Sequence, residues 1–563
     1  MKMTYLKPSK VYILLIFTFI ANPIFSQKLN SGPQVLSFHS EVDDTDQPYA
    51  LFIPTNFNEK KKYPLVVMLH GAGSNHRLAL RRVFGKSNAD GESDVEASRY
   101  FPKWKNVDYI VASVNARGTM GYQGIAEKDV LDMLADVKKR FKIDENRTYL
   151  TGLSMGGGGT IWIGLTRPDI WAAIAPVCPA PPSESKYYIE NAFNLPVHFF
   201  QGTEDPAVKV ENTRKWVEDF KKSGAKVTYV EYPGVKHDSW VNAYKDEFIF
   251  EWFTKFKRNP YPDKLKFITH HLKYGRHYWV EILDMEIGKP AKIETNFKNK
   301  NLLDVKTENV EAFALNILSH PNFATNKQLN LNIDGQNIPV FGLTDNQILI
   351  KKDQKWMVGK RDMETGKKNI QTAGPMTEVF TDRHIYVYGT QDNPGKEELD
   401  QRKKIAEQAA DWSFYRGNFM GRVMIFPRIL SDKEVRPTDL ESAHLVLFGT
   451  AKSNAIIAKY ANKLPMQLDE SKVNTANLTY AYPNGKKYIL ISSGIPFWEI
   501  PVSEESSPLN LRIPAKAAQL SGYKDWVLYS KESNSVLGSS FFTKNWELSE
   551  NDKNKIKSNV IFR

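Results

Sequence analysis

Thr148-Tyr149-Leu150 is an apolar, strand-like stretch that leads through Thr151 into Gly152-Leu153-Ser154-Met155-Gly156, and a helix-like run follows. A serine held between two such elements, with glycines two residues to either side, has the form of a nucleophile elbow. The flanking glycines answer a steric demand, because a sharp strand-to-helix turn leaves no room for Cβ atoms beside it. Such a turn exposes Oγ and aims the Met155 N–H, at a helix N-terminus, toward the place where an oxyanion would form. A five-residue pattern with three fixed positions recurs by chance, so its neighbours carry much of the weight.

Outward from the elbow, strand-like and helix-like segments alternate from Tyr49 to about Phe256, which predicts an α/β domain built on a mostly parallel sheet. Tyr63 to Leu69, Tyr109 to Val114, Ala172 to Ala175 and Val197 to Phe200 are near-continuous apolar runs, as strands covered on both faces should be. Between them, Lys128 to Phe141 places Val130, Leu131, Leu134, Val137 and Phe141 on one helical stripe, and Val210 to Lys222 does the same with Trp216 and Phe220. The pattern breaks at Lys257-Arg258-Asn259-Pro260-Tyr261-Pro262, a linker-like stretch. Alternation of β-branched and aromatic residues from Leu265 to about Lys352 predicts a small antiparallel β unit with Asp334-Gly335 as a hairpin turn. From about Gly374 the chain returns to α/β character, with strands ending at Gly389-Thr390 and Gly449-Thr450; glycine loops at strand C-termini can bind ligands, but most merely turn. The expected division is a signal peptide at 1–26, a catalytic domain at 27–258, a β-rich domain at 262–365 and a C-terminal α/β module at 370–563.

A chain of 563 residues exceeds one ordinary core, and its composition, 41% hydrophobic and 25% charged, gives no case for extended disorder. Lys2, Lys7 and Lys10 precede the apolar run Val11 to Ala21, and Ser26-Gln27 supplies a small residue for cleavage. That layout predicts export to the periplasm or beyond, with no stable membrane anchor after cleavage. The lone Cys178 allows no internal disulfide and reads as a small packed hydrophobe. A formal net charge of +12 is scattered in short basic runs, as on a solvated face, so no nucleic-acid partner is expected. Phosphate-binding loops, dinucleotide fingerprints and zinc-finger spacings are missing from the sequence, and neither a cofactor nor a metal is expected.

A serine needs a base within hydrogen-bond reach and a carboxylate to orient that base. Asp205, in Gly202-Thr203-Glu204-Asp205-Pro206, follows the Val197 to Gln201 strand; His237, in Gly234-Val235-Lys236-His237-Asp238, follows the strand Lys226 to Tyr232. Ser154, Asp205 and His237 are therefore the candidate catalytic residues. Glu204 and Asp238 are rival acids, and His70, His76 and His198 rival bases; His198 lies inside a strand and His70 is placed to brace the loop that follows it. His70-Gly71-Ala72-Gly73-Ser74 follows the Leu65 to Leu69 run, and its small residues let backbone approach a substrate carbonyl. Ala72 N–H and Met155 N–H are the expected oxyanion donors. The stretch from Asn75 to Lys105 is a candidate lid or wall over Ser154, or a plain connector, with Trp240 and Pro179 to Ser185 as candidate pocket walls.

Through His70-Gly71-Ala72-Gly73, Arg117-Gly118 with Gly121-Tyr122, Gly152 to Gly157, Gly202-Thr203-Glu204-Asp205 and His237, the region from Tyr49 to Phe256 resembles the α/β-hydrolase superfamily. The similarity is to the esterase-D, feruloyl-esterase and polyhydroxybutyrate-depolymerase-like groups, with prolyl-oligopeptidase-type peptidases beside them. It covers less than half the chain. The resemblance implies a serine carboxylester hydrolase working through an acyl-enzyme on an ester-bearing carbohydrate or small molecule. A prolyl-oligopeptidase-like peptidase is the alternative, disfavoured because the extra mass follows the catalytic region. A glycan-binding accessory protein with a secondary or inactive hydrolase domain is a third reading, with Tyr274, Tyr278 and Trp279 as candidate stacking residues, although core packing is the commoner use of such aromatics. The segment from Gly374 to Trp546 resembles a module appended to such hydrolases in exported bacterial proteins, and that resemblance implies no activity.

Overall fold

The computed structural model describes residues 29–342, 346–360, 366–416, 422–496 and 524–563; the signal-like segment 1–26 lies outside the described residues. The first sheet has eight strands: β1 (Gly32–Ser40), β2 (Thr45–Ile53), β3 (Tyr63–Leu69), β4 (Ile110–Val114), β5 (Ile143–Leu153), β6 (Ala173–Val177), β7 (Val197–Gly202) and β8 (Val227–Tyr232). Their order is β1-β2-β4-β3-β5-β6-β7-β8. β1 and β2 form an antiparallel hairpin, β2 meets β4 antiparallel, and every later pairing is parallel. The sheet therefore begins before Tyr49, with a hairpin that apolar runs alone do not reveal.

Period-two alternation divides the core in two. Leu65, Val67 and Leu69 of β3 face one layer, with α3 (Ile125–Arg140), α4 (Met155–Thr166) and α5 (Val210–Lys222). Val66 and Met68 face the other, with α1 (His76–Val83), which the short α2 (Asp94–Ala97) follows in the chain, and the helix Phe248–Thr254. Because both faces are covered, all seven residues of β3 and all five of β4 and β6 are buried.

α1 changes the reading of Asn75 to Lys105. Asn75 caps it, its Oδ1 accepting from the amides of Arg77 and Leu78, and Leu78, Ala79, Leu80 and Val83 are buried against the sheet. Buried Arg81 donates to the carbonyls of Ala97 and Ser87 and to Glu92, so the rest of the stretch is stapled to α1. A segment tied down by a helix in the core is a fixed wall, not a lid that swings.

Residues 264–342 and 346–359 form two five-stranded sheets with a shared core: Phe267, Ile293, Val305 and Leu331 come from one, Val280, Ile282, Phe313 and Leu349 from the other. Asp334 and Gly335 are both left-handed (φ 51° and 86°), as a two-residue primed hairpin turn requires. The unit is not wholly antiparallel, since Leu302–Glu308 runs parallel to Leu329–Ile333. Tyr274, Tyr278 and Trp279 are all at least nine-tenths buried, so these aromatics are core and offer no stacking platform. Tyr274 instead crosses to the first domain, where its hydroxyl and Trp162 Nε1 both donate to the buried Glu127 carboxylate, at 2.8 and 3.0 Å.

The last region carries a seven-stranded sheet in which Arg428–Ser431, His384–Tyr388, His444–Phe448 and Lys487–Gly494 are parallel neighbours. Three antiparallel strands extend it.

Candidate active site

The parallel registers bring the C-terminal ends of the strands to one edge. Leu69 is level with Gly152, Leu153 with Val177, and Gly202 with Tyr232. Everything that follows these ends, His70 to Gly73, Ser154, Cys178, Asp205 and His237, is thereby collected in one place.

Ser154 has φ 54° and ψ −117°, a conformation that costs an L-residue about 1–3 kcal/mol and marks a functional turn when the surroundings enforce it. Here they do. A Cβ on Gly152 would lie 2.4 Å from the Gly156 carbonyl oxygen, and one on Gly156 would lie 2.2 Å from that of Leu69. Gly157 and Gly158 are as tightly set against the carbonyls of Val177 and Ala180. Four consecutive glycines at the head of α4 disfavour a helix by about 1 kcal/mol each; what they permit is close approach, of backbone at the first three and of the Tyr122 side chain at Gly159.

His237 Nε2 lies 3.0 Å from Ser154 Oγ, and His237 Nδ1 lies 2.8 and 3.0 Å from the two oxygens of Asp205. Burial alone would raise the Asp205 pKa, but hydrogen bonds from His237 and from the amides of Val208 and Ala207 outweigh it and hold the carboxyl below its usual range. Asp205 therefore stays ionised, able to fix the Nδ1–H tautomer of His237. Glu204 and Asp238 are exposed and take no part.

The rival bases are occupied elsewhere. His198 stacks on Phe200 at 4.0 Å, and burial pushes its pKa down to about 4. His76 is likewise pushed to about 4 by burial, with Nδ1 3.2 Å from Asn115 Oδ1. His70 is buried with its ring nitrogens 2.8 and 2.9 Å from the carbonyls of Gly71 and Asn115, so it braces the loop it begins. Burial raises the Cys178 thiol to about 12, and its Sγ sits 3.5 Å from the His237 carbonyl; a protonated thiol in that position is no nucleophile. Cys178, Asp205 and His237 offer donor atoms within 4.8 Å of one another, but the thiol holds its proton and the other two are engaged with each other.

A Cβ on Gly71 would touch Leu153 Cδ1 at 2.7 Å and Ser154 Cβ at 3.5 Å, so the Gly71-Ala72-Gly73 turn lies directly against the elbow. Among the described residues, no acceptor is bonded to the amide of Ala72 or of Met155. The Ala180 amide donates to the Ser154 carbonyl, which brings the Pro179 to Ser185 segment past the nucleophile, and the Trp240 ring meets His237 edge-on at 5.5 Å.

Sequence reasoning passed over Gln201. Its Nε2 donates to Asp205 Oδ2 at 3.0 Å and to the Val208 carbonyl at 2.9 Å, while its Oε1 accepts from Thr213 at 2.9 Å. The available signal was a lone amide closing an apolar, fully buried strand, since a buried polar group needs partners. At Gly389-Thr390 and Gly449-Thr450 the glycines serve turns packed on their own chain. Gly389 is pressed on the Ser453 carbonyl, Gly449 on the Ser453 side chain, and buried Asn454 bridges the carbonyls of Val387 and Phe448. The chain itself fills that crevice.

Residues 40–249 match the family model described as "Putative esterase". Over these residues the chain is similar to that esterase family. Among solved structures, similarity is found to a thermostable esterase (28% identity over 40% of this chain and 63% of that one, TM-score 0.33). Others are a CE1 ferulic acid esterase from Anaeromyces mucronatus in complex with ferulic acid (17%, 39% and 89%, 0.30) and S-formylglutathione hydrolase from Staphylococcus aureus (17%, 40% and 98%, 0.31). The chain spans less than two thirds of the first of these.

Proposed function

We propose that this protein is an exported serine carboxylester hydrolase that removes acyl groups from a polysaccharide or a related extracellular substrate. The observation that carries the reading is the unbroken relay from Ser154 Oγ through both nitrogens of His237 to Asp205, set beside two unbonded backbone amides. Ser154 Oγ attacks the ester carbonyl while His237 Nε2 takes its proton, and Asp205 stabilises the imidazolium. The carbonyl oxygen gains negative charge facing Ala72 N–H and Met155 N–H, each donor contributing about 3 kcal/mol in comparable sites. The imidazolium then protonates the departing alkoxide, leaving an acyl-serine, and water activated by His237 releases the acid.

Purified protein should hydrolyse an aryl acetate, and Ser154→Ala should abolish turnover; full activity in that variant would end the proposal. The substrate class is supported by the signal-like N-terminus, and a panel of acetylated, feruloylated and methyl-esterified glycans tests it. Cleavage of Xaa-Pro amides with no ester turnover would reassign the protein as a peptidase. Export predicts a mature N-terminus near Gln27 in the periplasm or medium; an unprocessed chain retained in the cytosol would contradict it.

A further inference from the structure

The Gly71-Ala72-Gly73 turn does not hold itself. Three groups of the loop that follows β4 grip it: the Asn115 carbonyl faces His70 Nε2 at 2.9 Å, Thr119 Oγ1 accepts from Gly73 N–H at 2.8 Å, and the Tyr122 hydroxyl donates to the His70 carbonyl at 3.0 Å. Thr119 thus fixes the peptide next to the one carrying the Ala72 N–H.

That loop is in turn held under tension of conformation. Ala116 and Arg117 have positive φ, 45° and 60°, which an L-residue keeps only when its surroundings enforce it. The Arg117 side chain, wholly buried, supplies the enforcement: Nε to Asp129 at 2.8 Å, one terminal nitrogen to Asp43 at 2.6 Å, the other to Ser40 Oγ at 2.6 Å. The remaining contacts come from more than three hundred residues along the chain. Arg117 also donates to the Met424 carbonyl at 3.4 Å, Asp43 accepts from Phe426 N–H at 3.0 Å, and Gly118 pairs with Val423 as a β-bridge. Beside them Val42 and Ile125 of the first domain share a small apolar core with Trp412, Val423 and Ile425, and Met120, adjacent to Thr119, packs on it.

We propose that the C-terminal module serves the hydrolase site as a clamp, its segment 423–426 fixing the 115–122 loop so that Thr119 positions the Gly71–Gly73 turn for oxyanion binding. Thr119 is a positioning residue, and the module acts through it at a distance from substrate. The inference rests on the esterase reading above and assigns the last region a task within that reaction.

The test uses the full-length protein with an aryl acetate and compares Thr119→Val, Thr119→Ser, Ile425→Ala, Ile425→Val and the double variant Thr119→Val/Ile425→Ala. Thr119→Val keeps the shape and removes the acceptor, so kcat should fall by about tenfold or more with KM within about twofold, because displaced donors weaken transition-state binding alone. Thr119→Ser should restore most of the rate. Ile425→Ala should lower kcat in the same way and Ile425→Val should recover it. Since both act through one link, the double variant should be no slower than about twofold below Thr119→Val. Unchanged kcat in Thr119→Val or in Ile425→Ala, with Ser154→Ala still inactive, overturns the clamp and leaves the esterase reading standing. Losses that multiply in the double variant overturn it as well. Absence of turnover in the parent protein, whatever the variants do, removes the esterase reading itself and the clamp with it.

Discussion

At the scale of single residues, the candidate site divides into groups whose chemistry shows in the sequence and groups whose role depends on distant partners. Ser154, Asp205 and His237 were legible because each follows its own strand and because their chemistry restricts the residue types. Gln201 was not, since nothing local says that its amide reaches Asp205 rather than solvent. Gln201→Met should leave the fold intact while loosening Asp205, and kcat on an aryl ester should fall by about tenfold, with little change in KM. A kcat equal to that of the parent would mean that the amides of Ala207 and Val208 suffice to hold the carboxylate. Arg117 and Thr119 were equally opaque, their partners Asp43, Asp129, Gly73 and Met424 lying as much as 307 residues away.

At the scale of elements, α4 shows how sterics select sequence. Gly156→Ala gains about 1 kcal/mol of helix propensity but drives a Cβ to 2.2 Å from the Leu69 carbonyl oxygen, a backbone atom that cannot yield. A net loss of at least about 3 kcal/mol, read as a lowered denaturation midpoint or insoluble protein, is expected. Gly164→Ala, in the same helix, meets only the Ile174 Cδ1 methyl at 2.7 Å, the mobile end of a side chain, and should stay within about 1 kcal/mol of the parent. Equal losses at the two positions would refute the argument. The elements themselves were mostly legible, as apolar runs for β3, β4, β6 and β7 and as amphipathic stripes for α3 and α5. The β1–β2 hairpin was missed because its outer strand is only partly buried, and α1 because its capped start lies in a stretch dense with charge. The sequence left the crevice at Gly389 and Gly449 open between a turn and a ligand site, because a glycine after a strand looks the same whether it admits a ligand or its own chain.

At the scale of the whole molecule, buried neutral histidines tie stability to pH. Burial lowers the pKa of His271 and His384 to about 4 and of His277 and His444 to about 3. The unfolded chain takes up these protons first as pH falls below 6.5, so the stability they allow is complete above that pH and is lost progressively down to the folded values. The melting temperature should therefore fall between about pH 6.5 and about pH 3. His277, stacked on Phe267 with neither ring nitrogen bonded among the described residues, is the cleanest case: His277→Leu should flatten the dependence, and an unaltered slope would contradict the assignment. The Tyr274–Glu127 bond ties the β-rich unit to the first domain; Tyr274→Phe should destabilise the protein by about 1.5–3 kcal/mol, as for a lost hydrogen bond to a carboxylate, measured by denaturant unfolding. Above all of this stands the claim that Ser154 is an activated nucleophile. Intact-mass analysis after treatment with a fluorophosphonate tests it most directly: the parent protein should gain one covalent adduct mapping to Ser154, slowed strongly in His237→Gln and absent in Ser154→Ala, whereas an unlabelled parent protein, or equal labelling of Ser154→Ala, would contradict the account.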